Sequence, residues 1–65
     1  MKSHTELTHE YMKQFGSITP MQALNVFGCF RLASRIYDLR KAGVRIKTTT
    51  ETQNGKNFAR YALEA

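Results

Sequence analysis

The chain has 65 residues, a net charge of +5 at pH 7 and an isoelectric point near 9.8. A chain this short forms one domain, which we predict over residues 1–65. Such a domain buries only about 60% of its unfolded surface, which leaves no room for a substrate cleft and its supporting shell. We therefore expect no enzymatic activity and no small-molecule substrate.

The single cysteine and the absence of long apolar segments indicate the cellular compartment of the protein. Cys29 has no partner for an intrachain disulfide, which is typical of a reducing compartment. The first residues lack the apolar core of a secretory signal peptide. No stretch approaches the ~20 apolar residues of a membrane span. We expect a cytoplasmic protein, associated with the nucleoid or present in a host cytoplasm, with no membrane partner.

The basic residues are concentrated in the second half of the chain. Residues 1–28 contain two basic and two acidic residues, whereas residues 29–65 contain eight basic and three acidic ones. A basic surface of this kind favours a polyphosphate or an anionic membrane as its ligand, although it can also serve solubility alone. Charge by itself leaves these alternatives open.

Capping signals predict a first helix over residues 4–15. Ser3 and Glu6 fit a capping box at its start, and Gly16 is suited to a left-handed cap at its end. Its apolar positions recur at helical spacing: Leu7, Tyr11, Met12 and Phe15. Because two of these are adjacent, the apolar face is broad enough to pair with another copy of the chain or with another protein.

A second capping box predicts a short second helix that ends at Gly28. Thr19 and Gln22 form the box, and Pro20 occupies the first helical position, where its missing N–H is harmless. We predict that Ser17-Ile18, just before the cap, is a short extended link.

A third helix is predicted from Phe30 to Ala42. Gly43 supplies the stop, and basic residues in the last turn complement the helix dipole. Three apolar residues lie within a narrow arc and are expected to face the core: Leu32, Ile36 and Leu39.

After the third helix the sequence pattern changes to that of a β-hairpin. Residues 44–50 alternate and are rich in β-branched side chains, and Asn54-Gly55 is a strong two-residue turn signal. The return strand is predicted over residues 58–63. We expect its inward residues, Ala59, Tyr61 and Leu63, to lie opposite Val44 and Ile46.

The predicted core uses apolar residues from every element. It comprises Leu7, Tyr11, Phe15, Ile18, Leu24, Phe27, Leu32, Ile36, Leu39, Val44, Ile46, Tyr61 and Leu63. Cys29 is expected to be a small core residue rather than a reactive thiol. Since His4 and His9 fall on different sides of a helix and Cys29 has no cysteine partner, we expect no metal site and no cofactor.

The order of three helices and a hairpin is that of a winged helix-turn-helix. The runs Ile18–Gly28 and Arg31–Gly43, with the closing Tyr61-Ala62-Leu63, resemble the winged helix-turn-helix domain of short phage and prophage DNA-binding proteins. The resemblance covers residues 4–63, and its most specific part is Arg-Leu-Ala-x-Arg-Ile-x-x-Leu-Arg-x-x-Gly. It implies an α+β winged-helix fold and a double-stranded DNA partner.

One departure from the helix-turn-helix pattern concerns the turn. Leu24 stands where a small residue is common, and Ala23 lies one position earlier. This shift predicts a turn one residue longer than usual and leaves the exact start of the third helix open.

In helix-turn-helix proteins the second helix of the motif enters the major groove, and its first residues meet base edges. We therefore predict that Arg31, Ser34 and Arg35 read bases, since arginine can donate two hydrogen bonds to guanine. For Arg35 an alternative is a pair with Asp38, three residues further on, or a position along the flank of the domain.

The hairpin is the predicted wing, and its polar residues are expected to contact phosphates. Phosphate contacts position a protein on DNA without reading sequence. The residues predicted for this role are Lys41, Arg45, Lys47, Asn54 and Lys56. For Lys56 the alternative is an ordinary solvated lysine.

Two classes of function remain. The first is a DNA-binding protein, either a transcriptional regulator or an excisionase-like architectural factor, acting as a homodimer or as adjacent copies because one copy has a small footprint. The second is a protein-interaction module that binds a host or phage regulatory protein without reading DNA. The second class is favoured if Phe30, Tyr37 and Phe58 form one exposed aromatic patch, and the first if Arg31, Arg45, Lys47 and Lys56 form one continuous basic face.

Overall fold

The computed structural model describes residues 2–64 and confirms the predicted fold, three helices followed by a hairpin. The helices are α1 (His4–Phe15), α2 (Pro20–Phe27) and α3 (Leu32–Lys41). The strands are β1 (Ser17–Ile18), β2 (Ile46–Gln53) and β3 (Lys56–Leu63), and they form one antiparallel sheet in the order β1-β3-β2. None of the helices in this range is long and apolar enough to cross a membrane.

The segment predicted as an extended link is a strand. Ser17 lies opposite Ala62 and Ile18 opposite Tyr61, so the link pairs with the end of β3. This pairing makes β3 the central strand of the sheet. It also joins the segment between α1 and α2 to the end of β3.

Both strands of the hairpin reach closer to its turn than predicted, β2 by displacement and β3 by extension at its start. β2 begins at Ile46 instead of at residue 44 and extends to Gln53, and β3 begins at Lys56 instead of at residue 58. The cause is the turn, in which Asn54 has φ 53° and Gly55 has φ 76°. Two successive positive φ angles define a type I′ turn, whose twist matches that of the strands, so pairing continues up to the turn itself.

The register of the hairpin confirms one predicted pair and corrects the others. Ile46 lies opposite Leu63, as expected. Tyr61 lies opposite Thr48, while Val44 precedes the strand. The hairpin therefore contributes less apolar surface to the core than the sequence pattern predicts.

The predicted capping box of α2 is confirmed, and of the box predicted for α1 the bond to the N-cap side chain is present. The Ser3 hydroxyl accepts a hydrogen bond from the Glu6 N–H at 3.2 Å. At α2 the Thr19 hydroxyl accepts from the Gln22 N–H at 3.3 Å, and the Gln22 side chain accepts from the Thr19 N–H at 2.9 Å. These bonds satisfy donors that a helix N-terminus otherwise leaves unpaired.

The third helix is shorter than predicted. It begins at Leu32 rather than Phe30 and ends at Lys41 rather than Ala42. Arg31 has φ −118° and ψ 59°, outside the helical region, so the turn from α2 continues through it. Arg31 is consequently the residue that precedes the helix, not a residue of its first turn.

The turn between α2 and α3 starts at Gly28, which has φ 66°. The N–H of Gly28 donates to the carbonyl of Leu24 at 2.9 Å, and the N–H of Cys29 donates to that of Ala23 at 3.1 Å. The turn thus satisfies carbonyls at the end of α2 and places Cys29 in the core, as predicted.

The core lies between the three helices and one face of the sheet. Its buried apolar residues are Met12, Ile18, Ala23, Cys29, Leu32, Ile36, Leu39 and Ile46. Partly buried residues pack against it, namely Tyr11, Phe27, Val44, Tyr61 and Leu63.

Three predicted core residues are not in the core. Phe15 is 62% exposed, and Leu7 and Leu24 are only half-buried. The reason for the α1 residues is the rotation of the helix, which turns Thr8 and Met12 inward. The Thr8 hydroxyl donates to the carbonyl of His4 at 2.7 Å, so a polar residue can occupy this buried position.

Candidate nucleic-acid interface

The outward face of α3 is defined by the residues that it buries. Leu32, Ile36 and Leu39 are buried against the core, as predicted. At about 100° per residue, the opposite side of the helix carries Ser34, Tyr37 and Lys41. Tyr37 and Lys41 are exposed, and Ser34 is half-buried. This side of α3 faces away from the core and can approach a ligand.

Two of the three predicted base-reading residues lie at the start of α3. Arg31 is exposed, and its side chain makes no capping bond to the helix. Its carbonyl accepts from the N–H of Ser34 at 3.1 Å, which holds the first turn together. The guanidinium of Arg31 is therefore available to a ligand in front of the helix. The base-reading role of Arg31 and Ser34 remains a prediction.

Arg35 lies on the flank of α3 that faces α1. Its Nη2 is 3.3 Å from Oδ2 of Asp38, and that carboxylate also accepts from the Thr5 hydroxyl at 3.4 Å. The side chain is 35% exposed, and its Nε is buried without a hydrogen-bond partner among residues 2–64. The pair with Asp38 was the alternative considered for this residue. A base contact by Arg35 stays a prediction that requires the guanidinium to leave this pair.

The predicted wing residues are exposed. Lys47 and Lys56 project from the same face of the hairpin, since Lys47 is opposite Ala62 and Lys56 is opposite Gln53. Arg45 precedes β2, and its carbonyl accepts from the N–H of Glu64 at 3.1 Å. Lys41 ends α3 and Asn54 forms the turn. The phosphate-binding role of all five wing residues remains a prediction.

Arg40 has a role that sequence reasoning missed. We assigned it to the helix dipole, but its Nη2 donates to the carbonyl of Ile46 at 2.9 Å and to the hydroxyl of Thr48 at 2.7 Å. These bonds connect the last turn of α3 to the first residues of β2. The sequence signal is weak, because the only clue is that Arg40 lies on the flank of α3 from which the chain turns into β2.

Arg60 is the second arginine whose role sequence reasoning missed. Its Nε is 2.7 Å from Oε1 of Glu51, and its Nη1 donates to the hydroxyl of Ser17 at 3.0 Å. The side chain therefore connects all three strands on the face of the sheet away from the core. Its charge is balanced within the domain and is not available to a polyanion.

Ion pairing divides the cations into two groups. Within residues 2–64 three are paired with carboxylates: Lys2 with Glu10, Arg35 with Asp38 and Arg60 with Glu51. The others have no carboxylate partner in that range, namely Lys13, Arg31, Arg40, Lys41, Arg45, Lys47 and Lys56. All of these except Lys13 lie between the start of α3 and the hairpin tip, where an unbalanced positive field results.

The three aromatic residues of the interaction hypothesis do not line a common cavity. Phe30 is 86% exposed beside a small cavity next to Arg31 and Arg35. Phe58 is half-buried in a separate groove between α2 and the hairpin. Tyr37 is 64% exposed and lines neither.

Metal-ligating side chains are dispersed over the surface. No group of three or more His, Cys, Asp or Glu residues in the described range could hold a metal ion.

Comparison with known proteins gives one match. The family model described as a winged helix-turn-helix domain matches residues 5–65, which includes α3, the hairpin and nearly all of the core. No curated protein and no solved structure matches the chain.

Proposed function

The chain belongs to the winged helix-turn-helix domain family, and from this premise we propose that it binds double-stranded DNA. In this proposal α3 enters the major groove and the hairpin lies along the sugar–phosphate backbone. Domains of this family typically bind DNA rather than catalyse reactions. The protein acts in the cytoplasm as a phage-type transcriptional regulator or an excisionase-like architectural factor, as a homodimer or as adjacent copies on the DNA.

The observation that supports the proposal is the distribution of unpaired cations. Three of the four cationic wing residues lie outside the helices: Arg45 precedes β2, and Lys47 and Lys56 lie on one face of the hairpin. Arg31 stands in front of α3 without an intramolecular partner for its guanidinium in the described range. Lysine and arginine that no carboxylate balances are the groups that neutralise phosphates and release counterions.

The proposal divides the contacts into two classes. Arg31, with Ser34 beside it and Arg35 once released from Asp38, reads base edges. Lys41, Arg45, Lys47, Asn54 and Lys56 contact phosphates and fix the orientation of the domain. The first class sets which sequence is preferred, and the second sets how strongly any sequence is held.

The test is fluorescence anisotropy of a random duplex titrated with the protein at several salt concentrations. Four phosphates neutralised by the cationic wing residues give a slope of about −3.6 in log affinity against log salt, and six neutralised phosphates would give about −5, at about −0.9 for each phosphate. Lys47→Ala is expected to reduce the slope by about one unit. Lys13→Ala removes an unpaired cation from α1, outside the interface, and is expected to leave the slope unchanged. A slope near zero for the unmodified protein would refute DNA binding.

A second function is favoured by one observation, the 86% exposure of Phe30 beside the start of α3. An aromatic side chain exposed to this extent fits a contact with a protein partner. If the salt titration shows no binding, Phe30→Ser is expected to abolish association with that partner in a pull-down from host lysate. Retained association of the variant would exclude Phe30 as its contact.

A further inference from the structure

The central strand β3 has an edge that is only partly covered. β1 pairs with it at Tyr61 and Ala62 alone, because the chain leaves the sheet immediately afterwards. Thr19 caps α2 and Pro20 starts it, so the backbone turns away after Ile18. The segment of β3 nearer the hairpin turn, residues 56–60, therefore has β2 on one side and no strand on the other within the described residues.

The register shows which backbone groups this edge presents. In a two-residue hairpin the residues that flank the turn, here Gln53 and Lys56, form a hydrogen-bonded pair, and such pairs alternate along the ladder. Lys56, Phe58 and Arg60 thus direct their N–H and C=O groups toward β2. Asn57 and Ala59 direct theirs toward the open edge, as Tyr61 directs its own toward Ile18. No backbone partner for them is present in residues 2–64.

The open edge adjoins a groove of about 580 Å³, whose lining includes Asn57. One wall is the start of α2, including Pro20 and Met21, and the other is the hairpin with Phe58. Met21 is 63% exposed although its side chain is apolar. The groove thus combines unpaired backbone donors and acceptors with apolar walls, which is the arrangement that recognises an extended peptide by strand addition.

The charge of the groove limits the chemistry of the peptide. Of the described residues that line it, two are cationic, Lys56 and Arg60, and none is acidic. Arg60 is paired with Glu51, whereas Lys56 has no ion-pair partner in residues 2–64. A carboxylate beside Lys56 would be favoured, and a basic peptide would be repelled by a domain of net charge +5.

The other edge of the sheet is a poorer site. On β2 the carbonyl of Ile46 and the hydroxyl of Thr48 already accept hydrogen bonds from Arg40. The remainder of β2 does not form a wall of the groove apart from Gln53 at its end. An added strand on β2 would lie on an open surface without side-chain pockets.

We propose that the groove between the start of α2 and β3 binds an extended acidic segment of a partner protein, which pairs with Asn57 and Ala59 as an added strand and inserts an apolar side chain between Met21 and Phe58. This site is separate from α3, although it shares Asn54 and Lys56 with the proposed phosphate contacts of the wing, and the proposal does not rest on DNA binding. It would let the protein hold a partner through the sheet edge while α3 remains exposed.

The experiment is selection of a random dodecapeptide phage library on the immobilised protein, followed by anisotropy with the most enriched sequence as a fluorescein-labelled peptide. Enriched peptides are expected to carry Asp or Glu together with one bulky apolar residue. Asn57→Pro removes an N–H from the open edge and is expected to weaken the peptide at least about tenfold. Thr52→Pro is the matched control, because Thr52 lies opposite Asn57 and its N–H faces the other edge of the sheet.

A second pair of variants leaves the ladder intact, in case a proline variant fails to fold. Met21→Glu changes the groove wall and is expected to weaken the peptide about tenfold. Val26→Glu is its control, since Val26 is on the same helix, is 60% exposed and lies outside the groove. Equal peptide affinity for Met21→Glu and Val26→Glu would overturn the proposal.

Three further outcomes overturn it. The first is a library that yields no enriched peptide, and the second is enrichment of basic peptides. The third is competition in which a random duplex displaces the peptide and Asn57→Pro loses duplex affinity, which would assign the groove to nucleic acid. Salt-dependent duplex binding by the unmodified protein is measured separately, so failure of the groove proposal and failure of DNA binding are distinguished.

Discussion

The helical part of the molecule and the hairpin are built in different ways. The helices and β1 supply seven of the eight buried apolar residues, counting Cys29 in the turn, and the hairpin supplies only Ile46. From residue 47 to the turn, β2 has one half-buried residue and is otherwise exposed. The hairpin is held instead by its ladder, its type I′ turn and the hydrogen bonds of Arg40. Stability is therefore concentrated in the helices and unpaired positive charge in α3 and the hairpin, so variants can change one property without the other.

The largest expected effect tests the helical core. Ile36→Ala removes a side chain that is 1% exposed in α3 and leaves a cavity, at a cost of about 2–5 kcal/mol in the free energy of unfolding. Urea denaturation followed by circular dichroism measures it. Tyr37→Ala changes the next residue, which is 64% exposed, and is expected to cost less than about 0.5 kcal/mol. Similar costs for both variants would contradict the assigned rotation of α3.

The next effect concerns the hairpin turn. Gly55→Ala places a side chain on a residue with φ 76°, which costs about 1–2 kcal/mol if the turn keeps its form. Asn54→Gly retains the positive φ of the neighbouring position and is expected to be close to neutral. Thermal unfolding measures both. A neutral Gly55→Ala would mean that the hairpin contributes nothing to the cooperative unit that unfolds.

A smaller effect is expected where the two regions are joined. Arg40→Gln removes the hydrogen bonds to Ile46 and Thr48 and is expected to cost about 1 kcal/mol. Hydrogen exchange should accelerate at the amides of β2 while those of α1 stay protected. Lys41→Gln removes the same charge from the next residue, so only Arg40→Gln is expected to change the exchange of β2. Unchanged exchange in Arg40→Gln would show that the ladder alone holds the hairpin.

The smallest effect on stability is expected from breaking an ion pair on the surface of α3. Asp38→Asn breaks the pair with Arg35, an exposed pair that contributes less than about 1 kcal/mol. Affinity for a duplex is expected to rise about two- to fivefold at low salt, because a negative charge disappears and a guanidinium is released. Glu10→Gln breaks the pair with Lys2 on α1 and is the control. Equal affinity of both variants and the unmodified protein would place Arg35 outside the interface.

Local signals account for the parts of the fold that the sequence predicts well. The bounds of α1, its N-cap, the capping box of α2 and the hairpin turn depend on residues within four positions of one another. Features that depend on distant partners were missed. β1 has two residues, too few for a periodic pattern, and it is a strand only because Tyr61 and Ala62 lie beside it.

The core prediction for α1 was partly wrong because it took apolar residues to be buried and polar residues to be exposed. Thr8 is polar but fully buried, since its hydroxyl bonds to the carbonyl of His4 in the preceding turn. Phe15 is apolar but exposed, and its ring lies 4.6 Å from that of Tyr11. A prediction from hydrophobicity alone therefore turns Phe15 toward the core, whereas the structure turns Thr8 and Met12 inward.

In the candidate site, too, the sequence predicts local features better than contacts between distant elements. The concentration of cations in α3 and the hairpin follows from the sequence, and the structure leaves most of them without a carboxylate partner. The pair of Arg35 with Asp38 was one of the alternatives that the sequence offers, since the two residues are three positions apart on one helix. The partners of Arg40 and Arg60 do not follow from the sequence, because both side chains bond to other elements.

The pairing of β1 with the end of β3 also sets the order of events during synthesis. Ser17 and Ile18 are synthesised before their partners Ala62 and Tyr61, which follow the hairpin turn along the chain. Before β3 has been made, the three helices can associate, while the sheet side of the core, including Ile18, stays open to solvent. Because contacts between distant residues form slowly, this side of the core closes only after β3 has left the exit tunnel. Until then Ile18 of β1 is exposed to other chains.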